Sequence, residues 1–421
     1  MPELYSCRLS GKFSYMRTAY KCRVYPDPEQ AAVFNRSLFG YVRLVWNKAL
    51  ADRHAAFFQR GERTSYKQAD AALTAWKRTG ELAFLSEVSS VPLQQTLRHQ
   101  HTAFGNFFAK RARYPRFKSR DGKQLAHYTR SAFRIKDGQV FMAKTAGPLR
   151  LAWSWPGVDL ATLDPTMVII SRDTDGRWYA TLAVDTDQPA PFNPAGHEIG
   201  IDLGIKDFAV TSDGDRIANP RHLERKTCNL ARYQRRLARA KKGSANRRKA
   251  KTKVAVAHRK VRDARRDFLH KTSTALIRSA DTIVIEDLAV ANMVRNRKLS
   301  RVISDAGWAE FRFQLAYKSA RYGRHLIVID RWYPSSKTCS TCGHLLPKLD
   351  LSTRAWTCPA CRTRHDRDIN AAKNILAAGR AVAGEQPGDA CGADVRQQGF
   401  ALLQSAVKQE ASGATQRIPV L

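Results

Sequence analysis

The chain has 421 residues, with 72 Lys and Arg against 37 Asp and Glu, and a formal net charge of +35. A compact fold this basic repels itself unless a polyanion compensates, so nucleic acid is the first partner to consider and an anionic membrane surface its competitor. No long uncharged apolar run and no signal-peptide pattern is present, which argues against a membrane-spanning or exported protein and for a soluble intracellular one of roughly two to four domains.

Residues 1–15 carry no clear pattern. From Thr18 an alternating strand runs to Pro26, and Asp27-Pro-Glu-Gln then opens a helix with Asp27 as N-cap and Pro28 at the first helical position. Helical periodicity dominates to about Lys110, with Leu38, Val42, Trp46 and Leu50 on one stripe. Phe104, Phe107 and Phe108 read as core rather than as a base-stacking platform. The run Arg111-Ala-Arg-Tyr-Pro-Arg-Phe-Lys-Ser-Arg120 is basic with interleaved aromatics, which suits a phosphate backbone and marks Tyr114, Arg116, Phe117 and Lys118 as candidate contacts.

Residues 130–187 read as strands, with hairpin turns at Asp137-Gly138 and near Asp175-Gly176, forming a small β-barrel or sheet that the strand near Tyr20 joins. The helical block 28–110 is then an insertion. Gln188–Pro194 is a linker. Beyond it, Glu198–Val210 reads as a strand with Ile199, Ile201 and Leu203 on one face and Gly200, Asp202 and Gly204 on the other. Two residues without side chains beside Asp202 leave room for a metal ion and a phosphate. Asp213-Gly214 supports a second hairpin.

Residues 221–271 form two helices broken near Gly243–Asn246, carrying 20 Lys and Arg against Glu224, Asp263 and Asp267. That imbalance suits a hairpin lying along a duplex, with Arg235, Arg236, Lys241 and Lys242 as candidate contacts. Asp281–Leu288 is a buried strand in which Val284 and Glu286 share a face and Asp287 turns away. A helix around Trp308–Tyr322 and a strand from His325 to Asp330 complete an α/β alternation.

Cys339-x₂-Cys342 and Cys358-x₂-Cys361 then appear, fifteen residues apart. Four thiolates at this spacing close a tetrahedron around structural zinc, leaving no open position for catalysis. His365 is a fifth candidate ligand and reads more simply as a loop histidine. Cys7, Cys22, Cys228 and Cys391 are scattered, which is not a disulfide framework. Asp366 caps a helix on which Asp368 points inward beside Ala372 and Ile375. From Ala381 the text turns small and polar, as a flexible tail does. Asp202, Glu286 and Asp368 thus stand as three carboxylates on one α/β core. Such a set binds two Mg²⁺ ions, typically about 3.5–4 Å apart, for in-line hydrolysis of a phosphodiester.

The motifs Gly200-Ile-Asp-Leu-Gly-Ile-Lys-Asp207, Val284-Ile-Glu-Asp-Leu288, Ser304-Asp-Ala-Gly-Trp308, Arg331–Gly343 and Asp366–Ile375 closely resemble the TnpB family. These are RNA-guided DNA endonucleases of bacterial insertion sequences, related to the miniature type V CRISPR effectors. The resemblance spans about Arg17 to Leu376. It implies an α/β multidomain fold: a RuvC-type, RNase H-like nuclease domain (195–335 and 363–380) with a zinc-ribbon insertion (336–362) that binds target nucleic acid. A wedge β-barrel (1–27 and 111–190) carrying a helical recognition domain (28–110) precedes it, and a tail (381–421) follows. The catalytic acids would be Asp202, Glu286 and Asp368. The partners would be a guide RNA and double-stranded target DNA, with no membrane partner, a monomer favoured and a bacterial cytoplasmic, nucleoid-associated location. The alternatives are a non-catalytic regulator of transposition, which needs the basic surface and ribbon but not the acids, and a guide-independent nuclease or a transposase, the latter using three carboxylates for strand transfer.

Overall fold

The computed structural model describes residues 15–120, 122, 124–187, 189–350 and 352–384. They fall into two compact units, one ending at residue 187 and the other starting at 189. The expected tail is helical to Gly384, and the rest of it, like the unassigned N-terminus, lies outside the described residues.

The first unit contains β1 (Tyr15–Val24), α1 (Pro28–Ala32), a π-helical turn (Val33–Leu38), α2 (Phe39–Arg60), α3 (Tyr66–Arg78), α4 (Ser90–Phe108), β2 (Gln124–Thr129), β3 (Phe133–Lys136), β4 (Gln139–Met142), β5 (Pro148–Leu149), β6 (Leu151–Ala152), β7 (Pro165–Arg172) and β8 (Trp178–Asp187). The capping box at α1 is reciprocal: Gln30 N donates to Asp27 Oδ1 at 2.7 Å and Asp27 N to Gln30 Oε1 at 3.3 Å. Leu38, Val42, Trp46 and Leu50 are all buried, as their spacing requires. The β3–β4 turn places Asp137 and Gly138 both at positive φ, the geometry that matches strand twist in a two-residue hairpin.

The expected barrel does not close. Five strands form an open antiparallel sheet in the order β2-β7-β8-β1-β6, and β3-β4-β5 form a separate sheet. The 3₁₀ turn at Arg130–Ala132 ends β2, and β3 and β4 then pair through their own tight turn. They are therefore unavailable to bridge the edges, and β6 at the far edge has only two residues.

The second unit contains β9 (Glu198–Leu203), β10 (Asp207–Thr211), β11 (Arg216–Ala218), α5 (His222–Arg239), α6 (Ala245–Ser279), β12 (Thr282–Glu286), α7 (Val290–Met293), α8 (Ser300–Ala306), α9 (Trp308–Tyr322), β13 (His325–Ile329), β14 (Ala355–Thr357), β15 (Arg364–Asp366) and α10 (Arg367–Gly384). Its mixed sheet has the order β11-β10-β9-β12-β13, antiparallel on the β11 side and parallel from β9 to β13. Ile199, Ile201, Ile283 and Ile285 pack on one face against Leu269 and Ile277 of α6 and Phe311 and Leu315 of α9. The opposite face takes α10, through Val284, Ile329 and Ile375. Asp305 joins the helices of the first face, accepting from Leu223 N at 2.8 Å and pairing with Arg265 at 3.4 Å.

The glycines flanking Asp202 do not make room for a metal. A Cβ at Gly200 would stand 2.1 Å from Ala372 O and 2.7 Å from Leu376 N, and one at Gly204 would stand 2.9 Å from Asp207 O. Gly200 is what lets α10 lie directly on β9, and Gly379 does the same at Val284. Gly200→Ala is therefore expected to cost about 3 kcal/mol or more, because backbone must move. A thermal melt within a degree of wild type would contradict this.

Candidate metal centres and nucleic-acid surfaces

The parallel register aligns Ile285 with Ile201 at the last β12–β9 pair, so Glu286 and Asp202 follow side by side at the C-terminal ends of adjacent strands. Alternation turns both toward α10. Asp368 lies in the first turn of α10, whose start is capped by Asp366 Oδ1 accepting from Asp368 N and Ile369 N, both at 3.1 Å. The chain thus brings its three predicted acids to one end of the sheet. Asp287 turns away, as alternation predicts, to pair with Arg312 and Arg331.

Burial, then the charges of Glu286 and Asp368, push the Asp202 carboxyl up from 3.8 to about 7. Burial also raises Glu286, opposed by Ser335, whose Oγ donates to Glu286 Oε1 at 2.6 Å. The donor set is all carboxylate, with no sulfur or nitrogen, and its mutual repulsion is what a hard divalent cation such as Mg²⁺ relieves; among the described residues only the four cysteines already stand close enough together to hold a metal ion. Guanidinium groups border it. Arg354 stands 3.6 Å and Arg216 3.8 Å from Asp368, and Arg216 also holds Asp366 at 2.7 Å and Asp207 at 2.9 Å.

Sequence reasoning gave no role to Ser335, Asn370 or Asn374. Asn370 and Asn374 sit one turn apart on α10, and their Nδ2 atoms donate to Thr338 O at 2.7 and 2.6 Å; Asn374 also donates to Ser335 O at 2.8 Å. They fasten the segment that presents Ser335 to Glu286. The available signal was two buried amides at i, i+4 on an otherwise apolar helix face.

The four cysteine sulfurs lie within 4.8 Å of one another. Cys339–Cys361 and Cys342–Cys358 Sγ separations are each 3.6 Å, close to the ~3.8 Å edge of a tetrahedron with 2.3 Å Zn–S bonds. The two halves share one hydrogen-bond pattern. Cys339 N donates to His344 O and Cys358 N to Thr363 O, while Gly343 N donates to Cys339 O and Arg362 N to Cys358 O, all at 2.9 Å. Gly343 and Arg362 both take positive φ. His365 is not a loop residue: it lies in β15 opposite Trp356, buried, with Nε2 3.0 Å from Cys339 Sγ. It supports a sulfur of the set from outside. Ser340 N donates to Asn370 Oδ1 at 2.9 Å, so ribbon and α10 are tied. Cys22 and Cys228 are free thiols, as expected.

The candidate nucleic-acid residues are differently disposed. Arg235, Arg236, Lys241 and Lys242 are exposed on α5 and its following turn. Arg116 and Phe117 also have exposed side chains. Lys118 does not stand free. Asn47 brackets its backbone, donating to Lys118 O at 3.0 Å and accepting from Lys118 N at 2.8 Å. Its ammonium lies 3.9 Å from the Trp46 ring centre, and burial lowers its pKa to about 8. Tyr114 packs edge-on against Phe104 and Phe107. Phe108, expected in the core, is exposed.

Among the described residues no helix is long and apolar enough to cross a membrane. A mixed sheet followed by a four-cysteine ribbon and a closing helix defines a multidomain α/β protein of the Cas12f-like fold. A chain in the cryo-EM structure of the Cas12f1–sgRNA–target DNA complex matches at a TM-score of 0.53 and 16% identity over 83% of each chain, a likeness of fold. Residues 308–375 match the Cas12f1-like TNB domain, residues 181–297 a family described as a probable transposase, and residues 16–62 a helix-turn-helix domain. In the structure that last stretch is β1 followed by a single unbroken helical run. A Streptomyces pristinaespiralis protein is 53% identical over 96% of this chain and 99% of its own length. InsQ of Escherichia coli K12 is 32% identical over 86% and 92%. Both are named "Putative RNA-guided DNA endonuclease". The chain belongs to the TnpB family.

Proposed function

We propose that the protein is an RNA-guided, Mg²⁺-dependent DNA endonuclease whose catalytic acids are Asp202, Glu286 and Asp368, on a RuvC-type, RNase H-like domain. The observation that carries this reading is the convergence of the three acids from β9, β12 and α10 at one end of the mixed sheet. The relatives' names and the basic surface support guide RNA and target DNA as partners, with sequence read mainly by base pairing. Asp202, Glu286 and Asp368 would hold Mg²⁺, which when bound would supply Lewis acidity for phosphodiester hydrolysis. The chain's own groups orient and compensate: Ser335 fixes Glu286, and Arg216 and Arg354 supply positive charge where a phosphodiester meets three acids. The zinc ribbon, with all four positions taken by sulfur, handles target nucleic acid rather than chemistry.

The test is to sequence RNA that copurifies with the protein expressed from its own locus, then to offer DNA matching its variable end. A discrete RNA and Mg²⁺-dependent cleavage of matching DNA are expected. No RNA, or a random mixture with no guided cleavage, would overturn the reading in favour of a regulator or of a nuclease that finds DNA by its own side chains, and strand-transfer products would favour a transposase.

Ser335→Ala removes the hydrogen bond that lowers Glu286, so the Glu286 pKa rises further and more of it is protonated at low pH. Cleavage should fall several-fold at acid pH and less at alkaline pH, with Ser335→Thr restoring the profile. A loss equal across the pH range would refute this role for Ser335.

A further inference from the structure

Two features of the helical part of the first unit have no role in the reading above. One is a buried guanidinium with two unpaired nitrogens. Arg53 on α2 is 8% exposed, and its Nε and Nη2 have no hydrogen-bond partner. Its guanidinium lies 5.1 Å from the centre of the Phe104 ring on α4. That contact offsets part of the desolvation of a buried cation and none of its unmade hydrogen bonds. The other feature is a set of aromatic rings turned to solvent. Phe57 is 50% exposed, Phe58 66% and Phe108 65%.

The two features share one place. Gln100 Nε2 donates to Trp46 O, and Arg53 meets Phe104, so α2 and α4 run in the same direction. Phe57 is one turn beyond Arg53, and Phe108 one turn beyond Phe104, which sets both at the same end of the helix pair. Each helix stops there abruptly. Gly61 takes φ 68° and donates to Phe57 O, while Glu62 N donates to Ala56 O. Lys110 takes φ 57°, and Arg111 N and Ala112 N both donate to Asn106 O. The second reversal folds the basic stretch back along the helices, where Tyr114 meets Phe104 and Phe107. From Lys110 to Arg120 there is no acidic residue, and Lys110, Arg111 and Arg113 are exposed.

We propose that the C-terminal ends of α2 and α4 form a stacking site for unpaired RNA bases. Phe57 and Phe108 take the base faces, Arg111 and Arg113 the flanking phosphates, and Arg53, whose unpaired N–H groups are closed to solvent, backs the Phe104 ring on which Phe108 stacks. The charge selects the occupant. A second copy of the chain would bring one basic stretch against another, whereas a polyanion is complementary. Exposed rings suit unpaired bases, because a duplex hides base faces in its own stack. Folded RNA presents such bases in loops and ends; DNA met as a duplex does not. The assignment rests on the guide RNA proposed above and names where on this chain its unpaired bases are held.

The test uses the full chain and a fluorescent single-stranded oligouridylate of about 15 nucleotides, at about 0.5 M salt to suppress backbone attraction. The double change Phe57→Ala, Phe108→Ala should weaken binding roughly tenfold or more without altering the salt dependence, and Phe108→Trp should restore it. Arg111→Ala and Arg113→Ala should each flatten the salt slope by about one. Arg53→Lys keeps the charge but loses the planar group that backs Phe104, and should weaken binding several-fold with an unchanged melt; a fall in melting temperature with unchanged affinity would make Arg53 structural only. Affinity indifferent to the two phenylalanines would overturn the site. So would tighter binding of the matching single-stranded DNA, or a dimer in sedimentation that the double change dissolves. Oligonucleotide affinity is read without any cleavage step, so a failure of the nuclease reading would leave this result standing. Guided cleavage with phenylalanine-independent RNA binding would remove this site alone.

Discussion

Asp202→Asn is expected to abolish cleavage and, in the absence of divalent cations, to make the protein more stable. Both effects have one cause. The folded state raises the Asp202 pKa to about 7 from 3.8, by burial and then by the charges of Glu286 and Asp368. The folded protein therefore holds this proton more tightly than the unfolded chain does. The associated stability is fully present below about pH 4 and is lost as the pH climbs towards about 7. In a chelating buffer at pH 8 the wild type carries a carboxylate whose charge burial and two neighbouring acids oppose more than Arg354 and Arg367 relieve, and Asn carries none. A gain of about 2 kcal/mol, read as a rise of about 4–8 °C in the melting temperature of the second unit, is expected at pH 8 and should vanish near pH 4. Millimolar Mg²⁺ should stabilise the wild type and leave the variant unmoved. Cleavage should fall at least about a thousandfold, with RNA affinity unchanged, since the carboxylate repels phosphate rather than binding it. A variant that cuts normally, or that melts lower than wild type at pH 8, would show Asp202 to be a structural acid.

How much of this was legible in the sequence depends on how far apart the interacting residues lie. The Asp27 cap, the Asp137-Gly138 turn, the stripe of Leu38, Val42, Trp46 and Leu50, and the cysteine spacing are local, and each is found where the pattern puts it. So are the faces of Asp202, Glu286 and Asp287, because period-two alternation needs no partner to be read. Closure of the first sheet is not local: it requires β2 and β6 to pair, and nothing in either segment states that they do not. Gly200 was misread for the same reason. A sequence says that a side chain is missing but not that α10, some 170 residues later, fills the space. Lys118 looks like a free phosphate contact until Asn47 and Trp46, about 70 residues earlier, are folded against it. Phe108 follows helical spacing, yet α4 ends at it, so there is no core left for it to enter.

Removing zinc should disable the acid cluster at a distance, because the ribbon is continuous with the helix that carries Asp368. β15 ends at Asp366, which caps α10, and Asp368 follows within the first turn. Asn370 holds Ser340 of the first cysteine turn and, with Asn374, the Thr338 carbonyl. Four sulfurs around Zn²⁺ contribute apparent binding free energies of about 10–16 kcal/mol in small peptides, far more than the ribbon's few buried apolar contacts can replace. The core there is Cys339, Cys358 and Trp356, with Leu346 and Leu349 against it. Metal analysis should find about one zinc per chain. Cys358→Ser should lose it, expose residues 336–362 to protease, and lower cleavage about thirtyfold or more by loosening the start of α10. Cys228→Ser, an exposed thiol on α5, should change none of these. His365→Ala is the discriminating variant. If four sulfurs complete the site, it keeps its zinc with weakened affinity; if His365 is itself a ligand, it loses zinc as completely as Cys358→Ser does. Folded wild-type protein without zinc would overturn the assignment of the four cysteines altogether.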